Sequence, residues 1–355
     1  MSGRGPGFSV GERRIGAGAR TFVVAEAGVN HNGDVALGEA LVDAAAAAGA
    51  DAVKFQTFRT DALVSRAAPK AGYQVETTGA GESQREMLAR LELSPEAHAR
   101  LQERCAKRGV VFFSAPFDEA SADVLERLGA PLVKIPSGEI TNLPFLRHVA
   151  RKGRPMIVST GMSTLEEVAA AVAAIRESGD PPIALLHCVS AYPAPPADTN
   201  LRAMDTLRAH FGVPVGLSDH TLGLEVALAA VARGAEVIEK HLTLDTSMTG
   251  PDHRASLDPG AMAALVRGIR TIESALGDGE KRPTASELDT ARVARKSLVA
   301  ARALRAGERL TAAAVAIKRP GTGIPPADLE RALGRRLRRD VAADEVLEWS
   351  ALDDA

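Results

Sequence analysis

Charged side chains recur on one face of several short segments that are otherwise apolar and strand-like. Glu26, Lys54 and Lys134 lie within three such segments, and Glu239 and His241 alternate within a fourth. Side chains two residues apart on a strand point to the same side. An ionised group inside a sheet or barrel is costly unless it is paired, hydrogen-bonded or bound to a metal. Several of them at one edge therefore indicate a site for a polar ligand.

Two histidines have the spacing expected of metal ligands. His220 and His241 end two successive predicted strands, whose axes would lie about 4.8 Å apart if they pair. Two nitrogen ligands leave positions open, which suits a catalytic ion such as Mn²⁺ or Mg²⁺ better than a closed zinc site. The alternative for either histidine alone is a hydrogen-bonded core residue. A third, His98, falls on a predicted helix, and we expect it to face solvent.

The two lysines lie within predicted strands rather than in loops. This position favours the phosphate or carboxylate of a substrate as the partner of Lys54 and Lys134. Two alternatives remain open. The lysines could pair with Glu26 or Glu139 inside the protein, or one of them could be the nucleophile of a Schiff-base pyruvate aldolase.

The elements that must position these residues alternate between short β-rich segments and longer helical ones, a pattern typical of a parallel sheet with crossover helices. The predicted strands are 22–28, 52–58, 110–116, 132–137, 156–160, 183–190, 213–220 and 237–243. The predicted helices are 35–48, 95–108, 119–128, 164–178, 222–233 and 259–276. Eight such units in about 280 residues predict an α/β fold, the TIM (β/α)8 barrel. A doubly wound sheet is the competing fold, but its glycine fingerprint is missing.

The chain of 355 residues is long enough for a large domain and a small one. Residues 278–293 are polar, and from about 294 the apolar segments become short and are interrupted by glycine and proline. We place the barrel at 1–283, a linker at 284–293 and a small β-rich domain at 294–355. A domain of roughly 60 residues is marginal alone, so we expect it to pack on the barrel or on a second subunit.

Composition excludes several classes of protein. The chain has 43 Lys+Arg and 45 Asp+Glu, a net charge of −2, which gives no overall field for nucleic acid or an anionic membrane. Two cysteines, Cys105 and Cys188, cannot build a disulfide framework or a multi-cysteine zinc site. No run of eighteen apolar residues is present. We therefore predict a reduced, cytoplasmic protein without nucleic-acid or membrane partners.

Several motifs, taken in order, resemble the sialic acid (N-acetylneuraminate) synthase family. They are Ala25–Gly33, Val53–Gln56, Lys134–Glu139, Ser159–Met162, Gly216–Thr221, Glu239–His241 and Gly250–His253. The segment Ile317–Ile324 resembles the antifreeze-like SAF domain, a β-clip fold, that follows the barrel in this family. The resemblance covers almost the whole chain, and the ordered set is far more specific than any single motif.

The resemblance implies a transferase that condenses phosphoenolpyruvate with N-acetylmannosamine or a related N-acylated aldose. The products are a nine-carbon 2-keto sugar acid and phosphate. Ser190 stands where enzymes making the commonest sialic acid can carry asparagine, and 250–256 is closer to legionaminic and spore-coat relatives. A legionaminic or pseudaminic acid synthase acting on a 2,4-diacetamido-6-deoxy hexose is therefore the alternative. A non-enzymatic reading would make the SAF-like tail an assembly module on a barrel scaffold.

The resemblance also implies roles for individual residues. His220 and His241 would bind the divalent metal, Mn²⁺ in the first place, with Mg²⁺ or Co²⁺ as alternatives. The implied catalytic residues are Glu26, Glu139, Lys54 and Lys134, and either glutamate could handle the attacking water. The implied substrate-binding residues are Gln56, Ser137, Thr160, Ser190, Tyr192, Ser218, Asp252 and Arg319. Arg319 would reach the N-acyl group in the neighbouring subunit of a domain-swapped homodimer.

Overall fold

A computed structural model describes residues 6–354, and the chain divides between Gly277 and Asp278 into two compact units. The strands of the first unit are β1 Phe8–Val10, β2 Arg13–Ile15, β3 Phe22–Gly28, β4 Ala52–Thr57, β5 Val111–Pro116, β6 Val133–Ile135, β7 Met156–Ser159, β8 Ile183–Cys188, β9 Val215–Asp219 and β10 Val237–His241. Strands β3 to β10 close in sequence order into a parallel barrel, with β10 paired to β3. The predicted TIM barrel is confirmed.

The helices of the first unit lie between these strands in the sequence, and the last helix follows β10. They are α1 Val35–Ala48, α2 Thr60–Leu63, α3 Gly72–Thr78, α4 Gln84–Ala89, α5 Pro95–Arg108, α6 Glu119–Arg127, α7 Leu143–Ala150, α8 Leu165–Glu177, α9 Ala203–Phe211, α10 Glu225–Ala232 and α11 Pro259–Leu276. Capping signals in the sequence explain why the predicted range of α5, 95–108, matches the observed helix at both ends. Ser94 accepts a hydrogen bond from Ala97 N, Pro95 follows it, and Gly109 ends the helix at φ 71°.

The hydrophobic pattern of the sequence does not reveal the short helices α2, α3, α4, α7 and α9. The longest of them has nine residues, and such a helix shows too few turns for a clear hydrophobic period. The strand pair β1–β2 was not predicted either. Phe8, Val10 and Ile15 from this pair pack with Phe22 and Val24 from the start of β3. The amino-terminal half of the barrel interior is thus an apolar core, and polar groups are confined to the carboxyl ends of the strands.

The prediction that His98 faces solvent is wrong. Its side chain is fully buried, with Nε2 2.8 Å from Thr57 Oγ1 and Nδ1 2.9 Å from Ser94 O. The reason is that α5 turns this face toward the end of β4, where a hydroxyl group satisfies the imidazole inside the protein.

The second unit contains α12 Leu288–Ala294, β11 Ser297–Ala300, β12 Val315–Lys318 and α13 Leu329–Ala332. Strands β11 and β12 are antiparallel, and Leu298, Leu310 and Leu347 belong to its own apolar core. Part of the segment predicted as a linker is therefore helical. Within residues 6–354, none of the helices combines the length and the apolarity needed to cross a membrane.

Candidate active site

A cavity of about 410 Å³ lies at the carboxyl ends of the barrel strands. Most of the residues predicted for the site contribute to its wall. They are Glu26, Lys54, Gln56, Lys134, Ser137, Ser190, Tyr192, Ser218, His220, His241 and Asp252. The barrel therefore brings together side chains that lie up to 226 positions apart along the chain, since Glu26 and Asp252 face the same space.

The register of the strands explains this convergence. His241 on β10 lies beside Glu26 on β3, and Glu26 lies beside Lys54 on β4. Ser218 on β9 lies beside Glu239, one inward position below His241. Residues that lie side by side on neighbouring strands point to the same face of the sheet, here the barrel interior. The register therefore sets charged and polar groups side by side at the mouth.

Glu239 is the residue that holds the two lysines. Its Oε1 lies 3.3 Å from Lys54 Nζ and 3.3 Å from Lys134 Nζ, and it accepts a 3.0 Å hydrogen bond from Ser218 Oγ. Burial alone would raise the pKa of Glu239, but the ammonium groups of Lys134 and Lys54 lower it to about 2. Glu239 therefore carries a negative charge throughout the physiological pH range, and this charge positions both lysines.

The sequence places Glu239 on the same face as His241, but no role was predicted for it. The lysines were predicted to contact a substrate anion, with pairing to Glu26 or Glu139 as the alternative. Lys54 does lie 3.1 Å from Glu26 Oε2, but the carboxylate that Lys134 contacts is Glu239. The signal that could have found it is the alternation on β10, which places Glu239 on the same face as His241.

The cavity wall carries two lysines and three carboxyl groups, Glu26, Glu239 and Asp252. Burial raises the pKa of Glu26 to about 7, so this carboxyl group is only partly ionised near neutral pH. Burial lowers the pKa of Lys134, whereas Glu239 and Glu26 outweigh burial and raise the pKa of Lys54. Burial raises the pKa of Asp252 to about 6, so near neutral pH carboxylates largely balance the two lysines, and the ammonium groups remain the groups that an anion could contact.

The two histidines present nitrogen atoms that fit a metal ion. Their ring centroids are 5.4 Å apart. Nδ1 of His220 lies 2.8 Å from Val189 O; a carbonyl oxygen only accepts, so Nδ1 carries the proton and the lone pair of Nε2 is free. Burial, followed by the neighbouring His220, lowers the pKa of His241 well below its ordinary value. Burial would lower the pKa of His220, but its contact with Cys188 outweighs burial and raises it. A metal ion would therefore meet a neutral ring at His241 and compete with a proton at Nε2 of His220.

The surroundings of His241 support this interpretation. Its Nδ1 has no hydrogen-bond partner among the described residues, and Asp252 Oδ2 lies 3.7 Å away. No cluster of three or more His, Cys, Asp or Glu side chains suited to a metal occurs within residues 6–354. If the two imidazoles hold a metal ion, water or substrate would have to supply its other ligands.

An aromatic ring covers the histidine pair. The ring of Tyr192 packs on His220 with centroids 4.1 Å apart and meets His241 edge-on at 5.7 Å. On the other side of the cavity, Gln56 Nε2 donates to Glu26 Oε1 at 3.2 Å. These contacts fix the orientation of an imidazole and of a carboxyl group before any ligand is present.

Three predicted residues are not on this cavity wall. Glu139 is half-buried and accepts a 2.7 Å hydrogen bond from Asn142 Nδ2. Thr160 is buried, and its hydroxyl donates to Leu186 O at 3.0 Å. Ser159 faces the cavity instead, and its Oγ is without a hydrogen-bond partner in the described part of the chain. Arg319 belongs to the second unit, where its Nε donates to Ala294 O at 3.0 Å.

The chain is similar to known proteins over almost its whole length. The chain matches the NeuB family over residues 41–281 and the SAF domain over residues 295–353. It is 47% identical to N,N'-diacetyllegionaminic acid synthase of Legionella pneumophila, covering 95% of this chain and 96% of that protein. Identity to the synthase of the same name from Campylobacter jejuni is 45%, covering 92% and 99%. The crystal structure of N-acetylneuraminic acid (sialic acid) synthetase from Leptospira borgpetersenii, 35% identical, superposes with a TM-score of 0.72 over 81% of this chain and 95% of that one.

We predict that Glu239→Gln lowers the free energy of unfolding of the barrel by roughly 3 kcal/mol, because two buried ammonium groups lose the anion that they share and only Lys54 keeps a second carboxylate nearby, Glu26. Urea denaturation measures the change. Glu103→Gln is the matched control, since Glu103 pairs with Lys107 on the exposed surface, and it should unfold like the unaltered protein. Equal stability of the two variants would contradict the role given to Glu239.

Proposed function

The chain belongs to the NeuB family, and on this basis we propose that it condenses phosphoenolpyruvate with an N-acylated aldose. The products are a nine-carbon 2-keto sugar acid and inorganic phosphate. The observation that carries the proposal is the cavity in which two buried lysines, a titratable carboxyl group and two imidazoles face one another.

We infer that the acceptor is a 2,4-diacetamido-6-deoxy hexose, so that the product is of the legionaminic acid type. The relatives from Legionella pneumophila and Campylobacter jejuni, with 47% and 45% identity to this chain, are both named N,N'-diacetyllegionaminic acid synthase. N-acetylmannosamine is the second acceptor to test, because the solved sialic acid synthetase shares the fold at lower identity.

In the proposed reaction the lysines hold the phosphorylated acid. Lys54 and Lys134 lie at one level of the barrel, both within 3.3 Å of the same carboxylate oxygen, so their charges converge on a small volume. The hydroxyl groups of Ser137 and Ser190 line the adjoining wall and would donate to phosphate oxygens, whereas the hydroxyl of Ser218 donates to Glu239. The dehydrated site strengthens each of these interactions.

The carbon–carbon bond forms when the enol carbon of phosphoenolpyruvate attacks the aldehyde carbon of the acceptor. His220 and His241 would hold a divalent cation, for which we propose Mn²⁺, and when bound this cation would stabilise the negative charge that develops on the aldehyde oxygen. Gln56, Tyr192 and Asp252 would orient the sugar so that its aldehyde end lies near the imidazoles. Positioning of this kind supplies a large part of the rate.

Water must then add to the carbon that bears the phosphate, before the phosphate group leaves. We propose that Glu26 accepts the proton of this water. Glu26 faces the cavity, and burial raises its pKa to about 7, close to the range in which a general base is most effective. Glu139 accepts from Asn142 away from that wall, so we assign it no proton transfer.

We further propose that the enzyme is a domain-swapped homodimer in which Arg319 of one subunit contacts the N-acyl group bound by the other. Its sequence context, Ile317–Ile324, is the part of the SAF domain that motivates this proposal. We also propose a cytoplasmic location, in line with the two buried cysteines, which are both unpaired.

The proposed function predicts phosphate release when the purified chain is mixed with phosphoenolpyruvate, Mn²⁺ and either sugar. The product should be a nine-carbon keto acid by mass spectrometry. Chelation should abolish turnover, and His220→Ala or His241→Ala should do the same while keeping the fold. A chain lacking residues 294–355 should lose turnover because it lacks Arg319.

Each arm of this experiment has an outcome that contradicts the proposal. Absence of phosphate release with both sugars would refute the synthase reaction. Borohydride trapping of pyruvate on a lysine, together with indifference to chelation, would identify a Schiff-base aldolase instead. Full activity without residues 294–355 would remove Arg319 from the site.

We predict that kcat/KM falls as the pH is lowered through about 7, because protonated Glu26 can no longer accept a proton. Glu26→Gln should lower kcat by about 100-fold or more. Glu139→Gln is the matched control and should keep both the rate, within about tenfold, and the pH dependence. The reverse pattern, with loss in Glu139→Gln and retention in Glu26→Gln, would transfer the role to Glu139.

A further inference from the structure

The chain contains only two tyrosines, and their rings pack against each other at the cavity. The ring centroids of Tyr73 and Tyr192 are 5.0 Å apart with an angle of 31° between the planes. Tyr192 in turn packs on His220. The three rings therefore form a row that begins at the proposed metal ligand and ends at Tyr73, a residue that no motif in the sequence singled out.

The segment that carries Tyr73 is held in place. Residues 58–94, between β4 and α5, contain the short helices α2, α3 and α4. Within this segment Lys70 Nζ lies 3.1 Å from Glu82 Oε1 and donates to Gly79 O at 3.0 Å. Met87 and Leu91 pack with Val29 from the barrel mouth. The ring of Tyr73 is thus presented to the cavity by a packed and ion-paired segment.

Two observations place Tyr73 on the same side of the cavity as Asp252, one of the residues proposed to bind the sugar. Tyr73 lines the same cavity as Asp252, and burial, followed by the charge of Asp252, raises the pKa of the Tyr73 hydroxyl group. Thr77 on the same helix lies 3.5 Å from Pro251 O, in the loop that carries Asp252. Tyr73 therefore faces the acceptor side of the cavity.

We propose that Tyr73 is a specificity-determining residue whose ring packs against the distal carbons of the acceptor sugar. This inference rests on the proposed function, which places the aldehyde carbon beside His220 and His241. The sugar would then extend along the row of rings, so that its C4 and C6 substituents reach Tyr73. An aromatic ring favours the methyl groups of a 4-acetamido-6-deoxy sugar over the hydroxyl groups of N-acetylmannosamine.

The test compares kcat/KM for N-acetylmannosamine and for 2,4-diacetamido-2,4,6-trideoxymannose in Tyr73→Ala, Tyr73→Phe and the unaltered enzyme. Tyr73→Ala should lower kcat/KM for the trideoxy sugar more than for N-acetylmannosamine, by on the order of tenfold. Tyr73→Phe should keep the ratio, because the ring remains. The KM for phosphoenolpyruvate should be unchanged.

Val75→Ala is the control on the same helix, because Val75 is exposed and lies outside the cavity wall; both sugars should react as with the unaltered enzyme. If thermal unfolding shows no cooperative transition for Tyr73→Ala, Tyr73→Leu takes its place in the comparison. Equal loss for both sugars, or an unchanged ratio, would overturn the proposal. If the unaltered enzyme turns over neither sugar, the proposed function is overturned, and this inference with it.

Discussion

The site depends on one buried carboxylate placed between two buried ammonium groups. Neither Lys54 nor Lys134 could remain charged inside the barrel alone, because desolvation of an isolated ion costs far more than a domain can supply. Glu239 lies 3.3 Å from both. Lys54 has a second carboxylate partner in Glu26, 3.1 Å away, and the two ammonium groups held together by Glu239 are the feature on which the proposed binding of a phosphorylated acid rests.

Closure of the barrel places that carboxylate. Because β10 pairs with both β9 and β3, its inward residues face Ser218 on one side and Glu26 on the other. A slip of one residue would turn Glu239 and His241 outward and bring Lys240 inward. Lys240 instead points outward, and its Nζ lies 2.6 Å from Asp219 Oδ2. A slip in register would break this second buried ion pair as well.

Much of this arrangement could be predicted from the sequence, because strand alternation and strand order together determine which side chains meet at a barrel mouth. The alternation could not decide between Thr160 and Ser159, since β7 ends just before Thr160 and the chain turns there. It could not choose between Glu26 and Glu139 either, because burial and Asn142 distinguish them only in three dimensions. Tyr73 lies on a seven-residue helix in a long connection, where local sequence patterns carry little information about the tertiary contacts.

The most direct test of this account is the affinity for phosphoenolpyruvate, measured by titration calorimetry with the unaltered chain and with Lys134→Gln. Loss of one buried cation should weaken binding by at least about 30-fold. Lys107→Gln removes an exposed lysine of the same charge and should bind as the unaltered chain does. Equal affinity of all three proteins would show that the buried lysines do not hold the phosphorylated acid.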